Sequence, residues 1–375
     1  MMMRKLLLAG FGLLLLAAPG QTQERRLFGR PICPPKCDCP PPAALAPSPD
    51  SSKPPPDQVA KPPQSSAFNE ALASAGEGGT QPAAGYMPGM FGDILGGFTT
   101  TQVFIPALDG FVTVQIPNGS QSAGYKISEN ESPRPIDRIF YNFNFYGGIV
   151  ISPDATVPLL QLNRHVIGFE KTFLAGDASI GMRLPFLGLG GDPSLQTMFT
   201  GDLSFIFKYA FYNNLETGNL VSGGLVVACP TGGRAAFRDP DGNRTLVMPP
   251  TALATLQPWL GFIYNVTPNL YVHGFNSTSI PIDAGDVTFM SNDVGLGYWL
   301  YRGAGSLLGV IPTVEMHINT PFDHRGVGPV VMNDQVSLTA GSYFLFSHAV
   351  VGGAIGIPFN GPNKIEALAS INWRF

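Results

Sequence analysis

Residues 364–375 read KIEALASINWRF, and the alternation in this stretch decides the fold class. Ile365, Ala367, Ala369, Ile371, Trp373 and Phe375 fall on one side, and Glu366, Ser370, Asn372 and Arg374 on the other. Leu368 is the one apolar residue on the polar side. An unbroken period of two specifies a β-strand with one apolar and one polar face. In a water-soluble sheet the apolar face would cover a core. In a membrane-spanning barrel it meets lipid, the polar face meets a wet lumen, and aromatic residues collect at the interface. The remainder of the chain has to choose between these.

Composition favours the membrane. Charged residues make up 13% of the 375 residues, about half the usual share, while Gly (45) and Phe (26) are abundant. After the first twenty residues no apolar run approaches the roughly 20 residues that a spanning helix needs. Low charge without such a run fits strands whose apolar face is hidden by alternation. The net charge of −4 and the lack of a basic patch argue against a nucleic-acid partner.

From Arg138 onward twelve strand-like segments follow one another, at about 138–151, 162–173, 177–186, 199–212, 218–229, 254–267, 269–280, 290–302, 308–320, 335–346, 348–358 and 364–375. Most exceed the usual 5–6 residues of a soluble strand and match a tilted membrane crossing. Alternation assigns the faces. Ile139, Tyr141, Phe143 and Phe145 point out in the first segment, with Arg138, Asn142 and Asn144 inward. Leu203, Phe205, Phe207, Tyr209 and Phe211 point out in the fourth, with Asp202, Ser204 and Lys208 inward. In the ninth, Val314, Met316 and Ile318 oppose Thr313, Glu315, His317 and Asn319. The second and seventh segments alternate poorly.

Connections supply a further test. If both barrel ends face the periplasm, every second connection is a tight turn. Those connections are 174–176, 213–217, Pro268, 303–307 and Ser347. The others include the long stretches 186–198, 229–253 and 321–334, with only 360–363 short. Twelve is even, as a single-chain bacterial barrel requires.

Ahead of the barrel lie three regions. Residues 1–23 read as a secretory signal peptide, with Arg4 and Lys5 before the apolar block 6–18, and imply passage across the inner membrane. Residues 24–66 form a Cys/Pro-rich arm with thirteen prolines between Pro31 and Pro63, a composition that stays disordered and extended. Cys33, Cys37 and Cys39 within it point to disulfide chemistry in an oxidising compartment, such as cross-links to self or periplasmic partners. A soft-metal site and a local disulfide with a leftover thiol are the other readings. Residues 67–133 are Gly-rich, and 98–105 and 111–116 flank Asp109-Gly110 as a hairpin. That hairpin could serve as a plug, a periplasmic element or an extra strand, and entry into the lumen would make it a gate. Residues 134–375 are the barrel.

Two resemblances sharpen this. A final strand closing on Trp373 and Phe375 resembles the assembly signal of bacterial outer-membrane β-barrel proteins, which implies a barrel-assembly machinery as partner. Residues 222–232 (SGGLVVACPTG), with the lead-in 132–138 (SPRPIDR), resemble the outer-membrane proteins named for the phenol meta-degradation pathway. That resemblance implies a channel for hydrophobic or aromatic compounds. No G-x-S-x-G, H-E-x-x-H or phosphate-binding loop occurs, and no His has a Ser two residues away, so an enzyme is not expected. No cofactor or metal is expected either.

The expectation is therefore all-β: a transmembrane antiparallel up-and-down barrel of twelve strands in the bacterial outer membrane, behind a disordered Pro-rich segment. It would pass small solutes by diffusion, through a pore lined by Arg138, Asn142, Asn144, Arg183, Asp202, Lys208, Glu315, His317, Asn319, Glu366 and Arg374. Such mixed charge implies weak ion selectivity. The alternative is a closed barrel that anchors the envelope through its Cys/Pro-rich arm.

Overall fold

The computed structural model describes residues 88–93, 98–105, 110–117, 126–150, 159–191, 196–233, 236–238, 244–247, 254–282, 286–326, 330–361 and 363–375. The expectations for residues 1–23, for the Pro-rich arm and for Cys33, Cys37 and Cys39 lie outside these residues.

Twelve antiparallel strands form one closed sheet. They are β1 (Arg138–Ile149), β2 (Leu160–Phe173), β3 (Ala178–Gly190), β4 (Leu203–Asn213), β5 (Leu220–Cys229) and β6 (Thr255–Asn265). The second half comprises β7 (Leu270–Pro281), β8 (Phe289–Tyr298), β9 (Leu307–Pro321), β10 (Gln335–Phe346), β11 (Ala349–Pro358) and β12 (Ile365–Arg374). Each strand pairs with its sequence neighbours, and β12 returns to β1 with Arg374 opposite Arg138 and Ile365 opposite Gly147. Closure removes the unpaired edges that an open sheet would expose. With an even count, β1 starts and β12 ends at the same rim, called here the terminal rim; the other is the distal rim.

The terminal-rim turns are short because their residues close tightly. Leu174–Gly176 is a single 3-10 turn, and Asn214 accepts the Glu216 and Thr217 amides at 3.0 Å each, an Asx turn that needs no further chain. At the distal rim the chain adds sheet beyond the barrel. β3 runs to Gly190 rather than 186 and pairs with Thr197–Thr200, and the connection after β5 carries a small hairpin of Ala236–Arg238 and Arg244–Val247. The alternation of 178–190 continues past the membrane crossing, which is why the strand outlasts its expected end.

The outer surface is apolar. Ile139, Ile167, Phe207, Leu260, Leu296, Val314 and Ile355 are all exposed. Phe173, Phe211, Tyr264, Tyr298, Trp373 and Phe375 cluster in strand ends at the terminal rim and are exposed too. This is the aromatic girdle that a membrane interface favours. Outward polar groups satisfy one another: Tyr141 Oη lies 2.7 Å from His165 Nδ1, and Asn276 Nδ2 donates to Asn292 Oδ1 at 2.6 Å. Hydrocarbon offers no other partner. Charge therefore belongs inside. Placing Arg at Ile355, outward near the middle of β11, is expected to cost about 2–4 kcal/mol, read as a lowered urea midpoint in lipid vesicles.

Close strand approach is set by glycine at one position in particular. A Cβ at Gly224 of β5 would stand 1.8 Å from the Phe207 carbonyl oxygen of β4, so only glycine lets these strands pair as they do.

Candidate functional site

The lumen is filled by the chain itself. Two short passes, 88–93 (PGMFGD) and 126–135 (KISENESPRP), run antiparallel inside the barrel. The Met90 amide donates to Glu131 O at 2.8 Å, and the Asn130 amide to Phe91 O at 3.3 Å. Gly92 has a positive φ of 80°, and a Cβ there would stand 2.6 Å from Glu129 Cα. Glycine at this turn is what lets the passes lie against each other.

The first pass climbs from the terminal-rim half, where Met90 meets Glu131, to the distal half, where Asp93 meets Ser337 and Asn319. The second descends and feeds β1. Between them the hairpin of Phe98–Ile105 and Gly110–Pro117 pairs Phe98 with Val331 and Thr99 with Val330, in the connection after β9. The segments flanking the hairpin occupy the lumen, and the hairpin itself pairs with the connection after β9. Its alternating strands find an edge to pair with there, whereas the charge-dense flanks match the lumen wall.

Near the terminal rim the wall offers Arg138, Arg164, Arg183 and Lys208 against Glu170. The plug supplies the missing negative charge. Glu131 binds Arg138, Arg183 and Lys208 together, and Glu129 binds Arg164 and accepts from Asn142 Nδ2 at 3.0 Å. Arg138 also donates to Asn130 O and Asn372 Oδ1, each at 2.8 Å. Lys208 donates to Ser132 O at 2.9 Å, and Ser222 Oγ donates to Pro133 O at 2.7 Å. Arg134 then reaches Asn213 Oδ1 and Gly218 O, at 2.9 and 3.0 Å, in the turn that joins β4 to β5.

Towards the distal half the wall is acidic, and the plug brings a cation. Lys126 Nζ sits between Asp93 and Asp293, 2.6 Å from the latter. Glu315 accepts the Phe91 and Gly92 amides at 2.9 and 3.0 Å, holding the turn of the first pass. Charge on one surface is thus met by its complement on the other, which desolvated ions require.

Apolar plug residues fill the gaps. Phe91 stacks on Tyr343 with centroids 4.1 Å apart, in a cluster with Leu368, Tyr271 and Ile311. Met90 and Ile127 pack on Ile206, Val226, Trp259 and Phe275. Leu368, the apolar residue on the polar face of β12, is there to meet the plug. The weak alternation of the seventh segment has the same cause, since Tyr271 and Phe275 of β7 point inward to this packing. Phe91→Ala removes a buried aromatic worth about 3–5 kcal/mol. The Met90 amide is expected to exchange with solvent at least about a hundredfold faster, with barrel amides unchanged, by native-state hydrogen exchange.

Of the residues assigned to the lining from sequence, Arg138, Asn142, Asn144, Arg183, Lys208, Glu315, His317, Asn319, Glu366 and Arg374 face inward and are buried. Their described partners are plug residues or neighbouring wall groups. Asp202 lies apart, half-buried just before β4, where it accepts the Gly232 amide at 2.7 Å. Burial raises its carboxyl above the usual range, against the Gly232 and Thr231 amides that pull it down. Trp373 and Phe375 are exposed on the outer surface.

Sequence reasoning missed Arg164, Glu170, His273 and Asp293 on the wall, and Asp93, Lys126, Glu129 and Glu131 in the plug. The signal for the plug was present: 126–134 holds four charges in nine residues within a chain poor in charge.

No protein-family model matches the chain, and no curated protein matches it. Among solved structures it is similar to an outer membrane channel from Pseudomonas putida F1, at 14% identity over 64% of this chain and 96% of that one, with a TM-score of 0.45. It is similar also to the transport unit of the autotransporter AIDA-I from Escherichia coli, at 12% identity, 69% and 98% coverage and a TM-score of 0.44. The CymD monoaromatic hydrocarbon channel is similar at 9% identity, 64% and 89% coverage and a TM-score of 0.38.

Proposed function

We propose that this chain is a bacterial outer-membrane channel for passive diffusion of small solutes, held shut at rest by residues 88–93 and 126–135. The observation that carries this reading is how the plug is held. Ion pairs, side-chain hydrogen bonds and packing attach it to the wall, and among the described residues its backbone–backbone bonds, Met90 to Glu131 and Asn130 to Phe91 among them, are internal. No described barrel strand uses the plug as a ladder partner. The plug can leave without breaking the sheet. A wall bearing Arg138, Arg164, Arg183, Lys208, Glu170, Glu315 and Asp293 would then hydrate at once, because bare charges in an empty cavity are costly. Such a wall favours small polar solutes over apolar ones. The terminal rim, with its tight turns, faces the periplasm in this reading.

Single-channel recording of the refolded full-length protein in a planar bilayer, at rising urea, tests it. The expected result is silence without urea, then discrete conductance steps at concentrations that leave the barrel heat-modifiable, and closure again on washing. A barrel silent at every concentration short of unfolding would instead support the envelope-anchoring alternative, which the filled lumen also favours.

A further inference from the structure

The lumen wall carries a carboxylate seat that the plug occupies. Arg138 of β1, Arg183 of β3 and Lys208 of β4 close on Glu131. Both of its oxygens are held: Oε1 meets Arg138 and Lys208, and Oε2 meets Arg183. The groups that shape this seat belong to the barrel. Phe140 is buried on the inner face of β1, and its ring centroid lies 4.5 Å from Arg138 Cζ and 5.6 Å from Arg183 Cζ. Stacking of this kind holds a planar cation in one orientation. Gly168 of β2 stands opposite both Phe140 and Arg183 and makes room for the ring, since a Cβ there would lie 2.4 Å from Phe140 Cζ. Glu170, also of the wall, holds Arg138 Nε at 3.0 Å and Lys208 Nζ at 2.8 Å.

Charge and packing say what the seat accepts. The wall group of Arg138, Arg164, Arg183, Lys208 and Glu170 carries three positive charges in excess once Glu129 and Glu131 leave with the plug. Cations gathered in a narrow lumen draw an anion. Two guanidinium groups and an ammonium aimed at one point suit a carboxylate in particular. Beside the seat the wall is apolar. Ile206 lies two residues from Lys208 on the inner face of β4, with Val226 opposite it, and Trp259 is opposite Gly224, the strand partner of Lys208. Met90 and Ile127 of the plug cover this surface, and the Met90 amide bonds Glu131 O. The plug thus presents a carboxylate and an apolar body side by side.

We propose that Arg138, Arg183 and Lys208 form the binding site for an organic carboxylate with a compact apolar body, and that such a solute takes the place of Glu131. Its carboxylate enters the fork, and its body rests on Ile206, Val226 and Trp259. Solute and plug then compete for one set of donors, so the solute itself shifts the barrel toward the unplugged state. The proposal names the solute class for the channel reading and rests on it for departure of the plug. Binding is nevertheless measured without solute passage, so the two fail separately.

The test is calorimetry of the refolded full-length Glu131→Gln chain with benzoate, compared with acetate, inorganic phosphate and neutral benzamide. One equivalent of benzoate is expected, bound at least about tenfold more tightly than acetate or phosphate, with no binding of benzamide. The wild-type chain, whose own carboxylate fills the seat, should bind benzoate at least about tenfold more weakly. Benzoate should also speed exchange of its Met90 amide with solvent, and benzamide should not. In the Glu131→Gln chain, Lys208→Met should weaken benzoate at least about tenfold while the barrel stays heat-modifiable. Phe140→Leu, which keeps every charge and withdraws the ring beside the guanidinium groups, should weaken it too and serves if the lysine variant fails to fold. Absence of benzoate binding overturns the proposal, as does binding that benzamide or phosphate equals or that the wall changes leave unmoved. Conductance of the same chain separates the two readings. Steps without benzoate binding leave the channel standing and refute the carboxylate site, whereas binding by a barrel that never conducts does the reverse.

Discussion

Glu131→Gln is expected to open the barrel without urea. The Glu131 carboxylate is the shared partner of Arg138, Arg183 and Lys208, and each of these groups is at least nine-tenths buried. The amide keeps the shape and removes the charge. Arg138 and Lys208 then keep their ion pairs to Glu170, at 3.0 and 2.8 Å, while Arg183 loses the Glu131 carboxylate. Breaking a buried pair from one side costs roughly 3–5 kcal/mol, because the remaining charge stays desolvated. If the plug leaves, water reaches those cations and the cost is relieved. That difference acts on the docked state alone, so plug occupancy should fall by roughly two to three decades. The measurement is open probability in planar bilayers, wild type against variant, with heat-modifiability confirming the fold. An E131Q barrel that folds and stays closed would show that apolar packing, not charge, seats the plug.

Gly224→Val is expected to abolish barrel assembly. A Cβ at this position would overlap the Phe207 carbonyl oxygen at 1.8 Å and approach Trp259 Cζ2 at 3.1 Å. Neither neighbour can move freely. The carbonyl belongs to β4 and is part of the ladder in which Phe207 faces Leu225 and Lys208 faces Gly224, while Trp259 packs edge-on to Phe275 in the lumen. A shift of β4 away from β5 breaks hydrogen bonds at a seam of a closed sheet, where no edge can absorb the change. Overpacking against side chains costs about 1–3 kcal/mol, and against backbone the cost is higher. The readout is loss of the heat-modifiable band after refolding into detergent. Gly305→Val, in a terminal-rim turn where nothing lies within 4 Å, is the control and should assemble normally. Assembly of both variants would mean that the β4–β5 seam tolerates separation.

The barrel was legible because it is written locally. Alternation in β1, β4, β9 and β12 names the face of each residue, and a strand's neighbour in this topology is simply the next strand. Tight turns at 174–176 and Ser347 confirm direction at intervals of one strand pair. Charge-bearing positions such as Lys208 and Glu315 were assigned inward on the same ground, since a charge facing lipid is expensive. Where alternation failed, in the second and seventh segments, Arg164, Glu170 and His273 went unassigned. The failure was informative: apolar Leu160 and Leu162 of β2 and Tyr271 and Phe275 of β7 face inward, which an open aqueous pore would not require.

What lies inside the barrel was decided by tertiary structure alone. Period two states which way a side chain points, not what it meets, and a polar inner face fits water and a charged plug equally well. The contacts that settle it span great lengths of chain: Phe91 bonds Glu315 across 224 positions and Asp93 bonds Ser337 across 244. No local pattern encodes such a partner. The charges of 126–134 are individually ordinary, and only closure of the sheet brings Arg138, Arg183 and Lys208 from three strands to one point where Glu131 fits. The sequence by itself therefore determined a twelve-stranded barrel and the mixed charge of its inner wall. Folding decided that this wall is already occupied, because desolvated cations converging from separate strands need a carboxylate, and the chain carries one within reach.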